Sequence, residues 1–171
     1  MNNAVLINQT SGKVEYYTPP RIIEAARRTM GRIDLDPASS LKANETVKAQ
    51  HIFTAADNGL DQQWFGNVWM NHPFGREHNP LWIAKLVSEY EGGNVQQACC
   101  IRYACTSEQW FQPLLQFPIC FLARRTNYLL SDGTVKRGVT KGSSVAYMGP
   151  HVERFICEFS SMGRVLVPAR G

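Results

Sequence analysis

Four consecutive residues, Asn71-His72-Pro73-Phe74, carry groups suited to chemistry on an amino group. An exocyclic amine of a nucleobase is a poor nucleophile because its lone pair is delocalised into the ring. A side-chain carbonyl oxygen and a backbone carbonyl one residue later can accept both amine hydrogens and draw the nitrogen toward a tetrahedral geometry. An aromatic ring two residues further on can stack on a base that has left its duplex. Asn71, the carbonyl of His72 and Phe74 fit these roles, and an ordinary strand-end turn is the alternative.

A second polar turn, Asp36-Pro37-Ala38-Ser39, places a carboxylate at the end of a predicted strand, followed by small residues. The small residues let a ligand approach the backbone closely, and the carboxylate suits a cationic group or a ribose. The sequence has no Gly-x-Gly-x-x-Gly fingerprint of a nicotinamide or flavin cofactor and no P-loop lysine for phosphoryl transfer. The alternative for Asp36 alone is a helix cap.

Hydrophobic periodicity and turn residues predict the elements that position these two turns. Helices are predicted from the Thr18 N-cap to Gly31, over 41–49, from the Asn79 N-cap with Pro80 to Gly92, and from the Ser107 N-cap to Leu115. Strands are predicted over 32–36, 66–70, 98–104, 119–123, 144–148, 155–159 and 165–167.

Strands that alternate with helices indicate an α/β fold with a mostly parallel sheet, and the run of strands at the C-terminus indicates an antiparallel edge. In an open α/β sheet, ligands bind outside the carboxyl ends of the strands. Since both polar turns follow predicted strands, we expect both at that edge of the sheet.

Composition restricts the class of protein. The chain has 171 residues, of which 44% are hydrophobic and 19% charged, as in one ordinary globular domain. We therefore expect a single domain over 15–171 after a loose segment over 1–14. No apolar run reaches the length of a membrane span, and the N-terminus lacks the pattern of a secretion signal, so a cytoplasmic protein is expected.

The five cysteines predict neither a metal site nor a nucleophile. Their number is odd and no Cys-x-x-Cys pair is present, which favours buried free thiols. Cys120, two residues after Pro118, lies in an apolar strand pattern and is predicted to belong to the core.

The net charge of +4 comes from the second half of the chain. Residues 1–75 contain seven basic and seven acidic residues, whereas the rest contains eleven and seven. Between 124 and 141 a single acid, Asp132, accompanies five basic residues, which are Arg124, Arg125, Lys136, Arg137 and Lys141. Such a cluster is typical of contacts with a phosphate backbone, and the alternative is a solvated loop.

The order of several short motifs resembles the phage and prophage family of DNA N-6-adenine methyltransferases, the Dam-like type that uses S-adenosylmethionine. That family typically carries Trp-Tyr-Thr-Pro, then Ile/Phe-Asp-Leu-Asp-Pro-Ala-Ser/Ala-Ser, then acidic-Gly-Leu with a following Trp, then Asn-Pro-Pro-Tyr/Phe. The matching stretches here are Tyr16-Tyr17-Thr18-Pro19-Pro20, Ile33-Asp34-Leu35-Asp36-Pro37-Ala38-Ser39-Ser40, Asp57-Asn58-Gly59-Leu60 with Trp64, and Val68-Trp69-Met70-Asn71-His72-Pro73-Phe74-Gly75. The similarity covers about residues 15–160 and is strongest up to Phe74.

The resemblance implies a Rossmann-like methyltransferase sheet, S-adenosylmethionine as cofactor, DNA as partner and a bacterial host cytoplasm as location. It implies that the target adenine is handled by the turn formed by Asn71, His72, Pro73 and Phe74. The residues it implies for cofactor binding are Tyr17, Thr18, Pro19, Asp36, Pro37, Ala38, Asp57 and Asn71. Of the two carboxylates, we expect Asp36 near the methionine end of the cofactor and Asp57 near its adenine.

Two positions depart from the family pattern. His72 stands where the family usually has proline; its backbone carbonyl is retained, but the fixed φ of proline is lost, which makes the turn less preorganised. Tyr16 replaces the family's tryptophan, an exchange of one aromatic residue for another.

The expected function is transfer of a methyl group from S-adenosylmethionine to N6 of adenine in DNA, with the five clustered basic residues on the phosphates. One alternative is methylation of another planar amide or amine, such as a protein glutamine. The other is a DNA-binding homologue whose catalysis is impaired at His72, for which a gain of activity in a His72→Pro variant would be evidence.

Overall fold

Helices and strands alternate along most of the chain. A computed structural model describes residues 16–169, so the expectation for residues 1–14 lies outside the described residues. In chain order the elements are α1 (Pro20–Met30), β1 (Leu35–Asp36), α2 (Leu41–Val47), β2 (His51–Ile52), β3 (Gly66–Met70), α3 (Asn79–Glu91), β4 (Val95–Tyr103), a 3-10 helix (Gln112–Gln116), β5 (Ile119–Leu122), β6 (Ser143–Met148), α4 (Val152–Phe159) and β7 (Gly163–Leu166).

The strands form one seven-stranded sheet of order β2-β1-β3-β4-β6-β5-β7. The first four strands in this order pair in parallel, whereas β6 and β7 each run antiparallel to their neighbours. Within residues 16–169, five of the seven strands therefore run in one direction. The predicted mixed α/β class, with a mostly parallel sheet and antiparallel pairing toward the C-terminus, is confirmed.

Helices cover both faces of the sheet because its central strands are apolar on both sides. Along β4, Cys99 and Ile101 belong to the core beneath α1 and α4, whereas Ala98 and Cys100 belong to the core beneath α3 and the 3-10 helix. The alternation follows from the two-residue period of a strand. It produces two separate hydrophobic cores, one on each side of the sheet.

Residues 155–159, predicted as a strand, instead form the second half of α4. Phe155 and Phe159 are both fully buried, and their ring centroids lie 4.6 Å apart. Residues four apart share one face of a helix. The segment has apolar side chains at both ends and in the middle, a pattern that fits both the two-residue period of a strand and the 3.6-residue period of a helix. Packing against α1 selects the helix.

Three further details of the predicted helices are wrong. The segment from Ser107 to Leu115 forms turns and a 3-10 helix that contains Pro113, whose ring nitrogen donates no hydrogen bond. Thr18 does not cap α1, because Pro19 is the residue that precedes the helix and the Thr18 hydroxyl has no hydrogen-bond partner within residues 16–169. Asn79 is the first residue of α3 rather than its cap. The predicted ends at Gly31 and Gly92 are confirmed.

The cysteines are all free, as expected, but not all buried. Cys99, Cys100 and Cys120 are buried, Cys105 is half-buried, and Cys157 is exposed on α4. Within residues 16–169, no helix combines the length and the apolar character that a membrane crossing requires.

Packing of α3 on the sheet can be tested with two leucines of the same helix. Leu86 is fully buried and Leu81 is 57% exposed. We expect Leu86→Ala to lower the free energy of unfolding by about 2–5 kcal/mol, and Leu81→Ala to change it by no more than about 0.5 kcal/mol. Urea unfolding of both variants checks this, and equal effects would contradict the observed face of α3.

Candidate active site

One cavity of about 350 Å³ opens at the carboxyl ends of the parallel strands. Asp36 at the end of β1, Asn71 after β3 and Tyr103 at the end of β4 all line it. The chain proceeds from β1 outward to β2 in one direction and to β3 in the other, so the cavity lies where the order of strands reverses. Ligands of open α/β sheets bind at this position, and the volume is in the range of small-molecule sites.

Most of the predicted site residues lie on the wall of this cavity. Those that line it are Tyr17, Thr18, Asp36, Pro37, Ala38, Asn71, His72, Pro73 and Phe74. Pro19 and Asp57 are not among the lining residues. Asp57 is exposed and accepts hydrogen bonds from the backbone N–H and the hydroxyl of Thr54, both at 2.8 Å, so it shapes a loop whose neighbouring residues do line the cavity.

Asp36 is a carboxyl group buried at the cavity wall, with 2% of its surface exposed. Burial raises its pKa from 3.8 to about 7, although hydrogen bonds from Ser39 and from the Ala38 N–H, the latter at 3.2 Å, act in the opposite direction. A buried carboxylate without a counter-charge favours a cationic or hydroxyl-bearing ligand group.

Gly59 closes the cavity from a third side. A Cβ at this position would lie 1.9 Å from the carbonyl oxygen of Pro37, so only glycine allows the two turns to approach so closely. The indole N–H of buried Trp64 donates to the Gly59 carbonyl at 2.7 Å and fixes the turn from beneath. Three motifs that are separate in the sequence thus meet at one wall.

The orientation of the Asn71 amide is set by a neighbouring backbone group. Its Nδ2 donates to the carbonyl of Tyr16 at 3.1 Å, and a carbonyl can only accept. The amide oxygen of Asn71 is consequently the atom left to accept a hydrogen bond from a ligand. Both Tyr16 and Asn71 line the cavity.

His72 is buried, with 1% of its surface exposed, and its ring stacks on Trp82 at 5.6 Å between centroids. Burial, with the charge of Arg102 adding to it, holds the pKa of His72 well below its ordinary value, so the ring is neutral. Its Nε2 lies 2.7 Å from a terminal nitrogen of Arg102 and its Nδ1 has no hydrogen-bond partner among the described residues.

Arg102 is not among the residues predicted for the site, yet it contacts the turn at several points. It is 1% exposed on β4, and its guanidinium lies 4.5 Å from the centroid of the Phe74 ring. Burial lowers its pKa to about 10, so it remains charged at neutral pH. The available signal in the sequence is an arginine within the apolar strand 98–104, where a charged side chain needs a specific reason.

Phe74 lies in an aromatic cluster at the edge of the cavity. Its ring contacts Tyr103 edge-on at 4.6 Å and Tyr128 edge-on at 5.7 Å. Tyr128 is fully buried and its hydroxyl is within 2.8 Å of the Ser143 hydroxyl. This packing holds Phe74 in place while leaving it half-buried beside Tyr103 at the cavity wall.

The segment that carries the five clustered basic residues contacts the cavity wall at two points. Residue Leu129 pairs with Tyr17 through two backbone hydrogen bonds of 2.8 and 2.9 Å, and Lys141 lies 5.9 Å from the centroid of the Tyr103 ring. Arg124, Arg125, Arg137 and Lys141 are exposed and Lys136 is half-buried. Within residues 16–169, none of the five lies within 4.0 Å of a carboxylate, so their charges are not neutralised by the protein.

A mostly parallel α/β sheet with a ligand-sized cavity at the carboxyl ends of its strands defines a class of proteins that bind a small molecule at the strand reversal. Comparison with known protein families identifies the family within this class to which the chain belongs. The family described as DNA N-6-adenine-methyltransferase (Dam) matches residues 8–157 of the chain. The protein therefore belongs to the DNA N-6-adenine-methyltransferase (Dam) family, and the resemblance drawn from its motifs is confirmed. No curated protein matches the sequence.

The raised pKa of Asp36 makes stability depend on pH in a defined direction. Because the folded protein holds this proton up to about pH 7 and the unfolded chain releases it near 3.8, stability falls as pH rises between these values. We expect Asp36→Asn to remove the free-energy cost of ionising a buried carboxyl group. The variant should be more stable than wild type at pH 8, by up to about 4 kcal/mol, and of similar stability at pH 4.

Thermal unfolding at both pH values measures this difference. The exposed carboxylate Asp132 provides the control: hydrogen bonds from Thr134 lower its pKa, so Asp132→Asn should show no gain of stability at pH 8. A gain for Asp36→Asn that is equal at pH 4 and pH 8 would contradict a buried, uncompensated carboxyl group.

Proposed function

We propose that this protein transfers a methyl group from S-adenosylmethionine to N6 of adenine in DNA. The observation that carries the proposal is the fixed Asn71 amide, whose Nδ2 is committed to the Tyr16 carbonyl and whose oxygen remains to accept. The next residue, His72, supplies a backbone carbonyl in the same turn of the cavity wall. Membership of the DNA N-6-adenine-methyltransferase (Dam) family supports the same reaction.

The cavity fits the cofactor in three respects. The Asp36 carboxylate suits the ammonium group or the ribose hydroxyls, and the Thr18 hydroxyl is a buried polar atom without a partner in the described protein. The absence of a side chain at Gly59 lets its turn approach the Pro37 carbonyl, which joins two parts of the cavity wall. When bound, S-adenosylmethionine would supply the methyl group from its sulfonium and leave as a neutral thioether, and the proton lost from adenine N6 would pass to solvent water.

Asn71 and His72 activate the amine by accepting its hydrogens. The amide oxygen of Asn71 and the carbonyl of His72 each take one N–H of the adenine amine, which withdraws its lone pair from the ring. The acceptors are held in place before the base arrives, one by Tyr16 and the other by the packed turn. Groups that are preorganised in this way do not reorganise during the reaction.

Phe74 and the basic residues bind the DNA in this proposal. One face of the Phe74 ring is covered by Arg102, and a flipped adenine would stack beside Tyr103 on the remaining surface. Lys141 is exposed beside Tyr103 of the cavity wall, and Arg125 is exposed in the same basic segment. Within residues 16–169 neither is paired with a carboxylate, so both suit the phosphates that flank an extruded nucleotide.

The reaction is tested with labelled S-adenosylmethionine, unmethylated duplex DNA and the variant Asn71→Ala. We expect wild type to produce N6-methyladenine and Asn71→Ala to lower transfer by about 100-fold or more, as when one preorganised group is removed from an active site. Asn71→Asp, which keeps an acceptor but cannot donate to Tyr16, should fall between them. The exposed Asn94, replaced by alanine, is the matched control.

Digestion of the DNA to nucleosides and mass spectrometry identify the product. Because Asn71 also lines the cofactor cavity, cofactor binding is measured in parallel by calorimetry and transfer is compared at saturating S-adenosylmethionine. Label recovered on protein glutamine, or cofactor binding without any transfer, would overturn the assignment of DNA adenine as acceptor.

DNA binding through the basic cluster predicts a salt effect. The double variant Arg125→Gln/Lys141→Gln should bind duplex DNA more weakly, and the slope of log K against log salt should decrease by about 1.8, or about 0.9 for each lost phosphate contact. The control is Arg154→Gln/Arg164→Gln, which removes the same charge from two exposed positions on α4 and β7, outside the basic segment 124–141. Equal slopes for both double variants would place the DNA elsewhere.

A further inference from the structure

Arg102 is a buried cation surrounded by neutral acceptors. Its two terminal nitrogens donate to the Asn79 side-chain oxygen at 2.7 Å, to the Ile101 carbonyl at 3.3 Å and to the His72 carbonyl at 3.4 Å. Within residues 16–169 no carboxylate lies within 4.0 Å of it. A buried charge without a counter-ion is costly, and the hydrogen bonds to these neutral acceptors are what offsets that cost.

The contacts of one guanidinium nitrogen determine where His72 carries its proton. The nitrogen lies 2.7 Å from both His72 Nε2 and Asn79 Oδ1, and it has two hydrogens to give. Nε2 must then be an acceptor, which places the single ring proton of neutral His72 on Nδ1. Nε2 and Oδ1 are also within hydrogen-bond distance of each other, at 3.2 Å, but with Nε2 as an acceptor both atoms receive hydrogens from Arg102 instead.

The Arg102 guanidinium contacts both the backbone of the turn and the aromatic ring of Phe74. It bonds the ring and the carbonyl of His72, covers Phe74 at 4.5 Å, and reaches the first residue of α3, Asn79. His72 is held on its other side by the stacked ring of Trp82. A histidine does not restrict its own φ as a proline does, so these contacts supply the restraint.

We propose that Arg102 is a positioning residue, which fixes the turn Asn71-His72-Pro73-Phe74 and holds the proton of His72 on Nδ1. Its kinetic test rests on the proposed function, whereas its spectroscopic test does not. Arg102 acts through His72 and Phe74 rather than by contact with the reacting atoms. The planar guanidinium contributes geometry, because its nitrogens bond several acceptors at once. A lysine, which has one nitrogen, can form only some of these hydrogen bonds.

The test compares Arg102→Met, Arg102→Lys and the exposed control Arg164→Met with wild type. Long-range ¹⁵N–¹H correlation spectra report the tautomer of His72 directly. In wild type and in Arg164→Met we expect the Nδ1–H form, and in Arg102→Met a shift toward Nε2–H or a mixture. Arg102→Lys should retain the Nδ1–H form because an ammonium still donates to Nε2.

Kinetics separate positioning from cofactor binding. We expect Arg102→Met to lower kcat by about 100-fold, the loss typical of misplaced reacting groups, with the dissociation constant for S-adenosylmethionine changed less than about threefold. Arg102→Lys should recover part of kcat. Methionine retains the unbranched aliphatic stem of arginine, and thermal unfolding of Arg102→Met shows that the variant is folded before kcat is compared.

Two results would overturn the inference. One is an Nε2–H tautomer in wild type, which needs no variant to fold. The other is an Arg102→Met protein with the wild-type tautomer and unchanged kcat. If wild type transfers no methyl group to DNA, the proposed function has failed, and the tautomers of wild type, Arg102→Met and Arg102→Lys then decide whether the positioning role stands.

Discussion

Pairing of β1 with β3 is the interaction on which the rest of the structure depends. The N–H of Asp34 donates to the Asn67 carbonyl at 2.8 Å, and the Asn67 N–H returns a hydrogen bond to the Asp34 carboxylate at 2.8 Å. Gly66 has φ of +66°, and a Cβ there would lie 2.5 Å from the same carboxylate, so the pairing excludes a side chain at this point. With the register fixed at the amino ends of the strands, Asp36 and Asn71 reach the same wall at the carboxyl ends.

Features that depend on local sequence were predictable. The strand Gly66–Met70 was predicted with its observed bounds because an apolar run lies between a glycine and a polar turn. Asp36 and Asn71 line one cavity because parallel strands end at the same edge, a rule that needs only the order of elements. The family matches residues 8–157, a range that includes all the motifs on which the resemblance depends. Glycines and prolines of these motifs stand where two backbone segments lie close together, as at Gly59.

Features that depend on distant contacts were not predictable. Arg102 lies 30 residues from His72 in the sequence, and nothing in either segment specifies that one side chain meets the other. The helix α4 was mistaken for a strand because its five-residue apolar pattern fits both periods, and the deciding contact is made with α1. The hydroxyl of Thr18 has the chemistry of an N-cap, yet Pro19 and Pro20 start α1 without it.

The electrostatics of the proposed reaction favour a geometric role for Arg102. Methyl transfer from a sulfonium to a neutral amine moves positive charge toward N6, and a buried guanidinium bonded to the His72 carbonyl opposes this movement. Its field therefore does not accelerate the reaction. The carbonyl has a second lone pair for the amine, and the bond to Arg102 is long at 3.4 Å, which leaves the acceptor only partly weakened. A neutral His72 adds no further positive charge. The turn thus retains two acceptors for the amine, the Asn71 amide oxygen and the His72 carbonyl. The contribution of Arg102 is to hold the turn in its conformation.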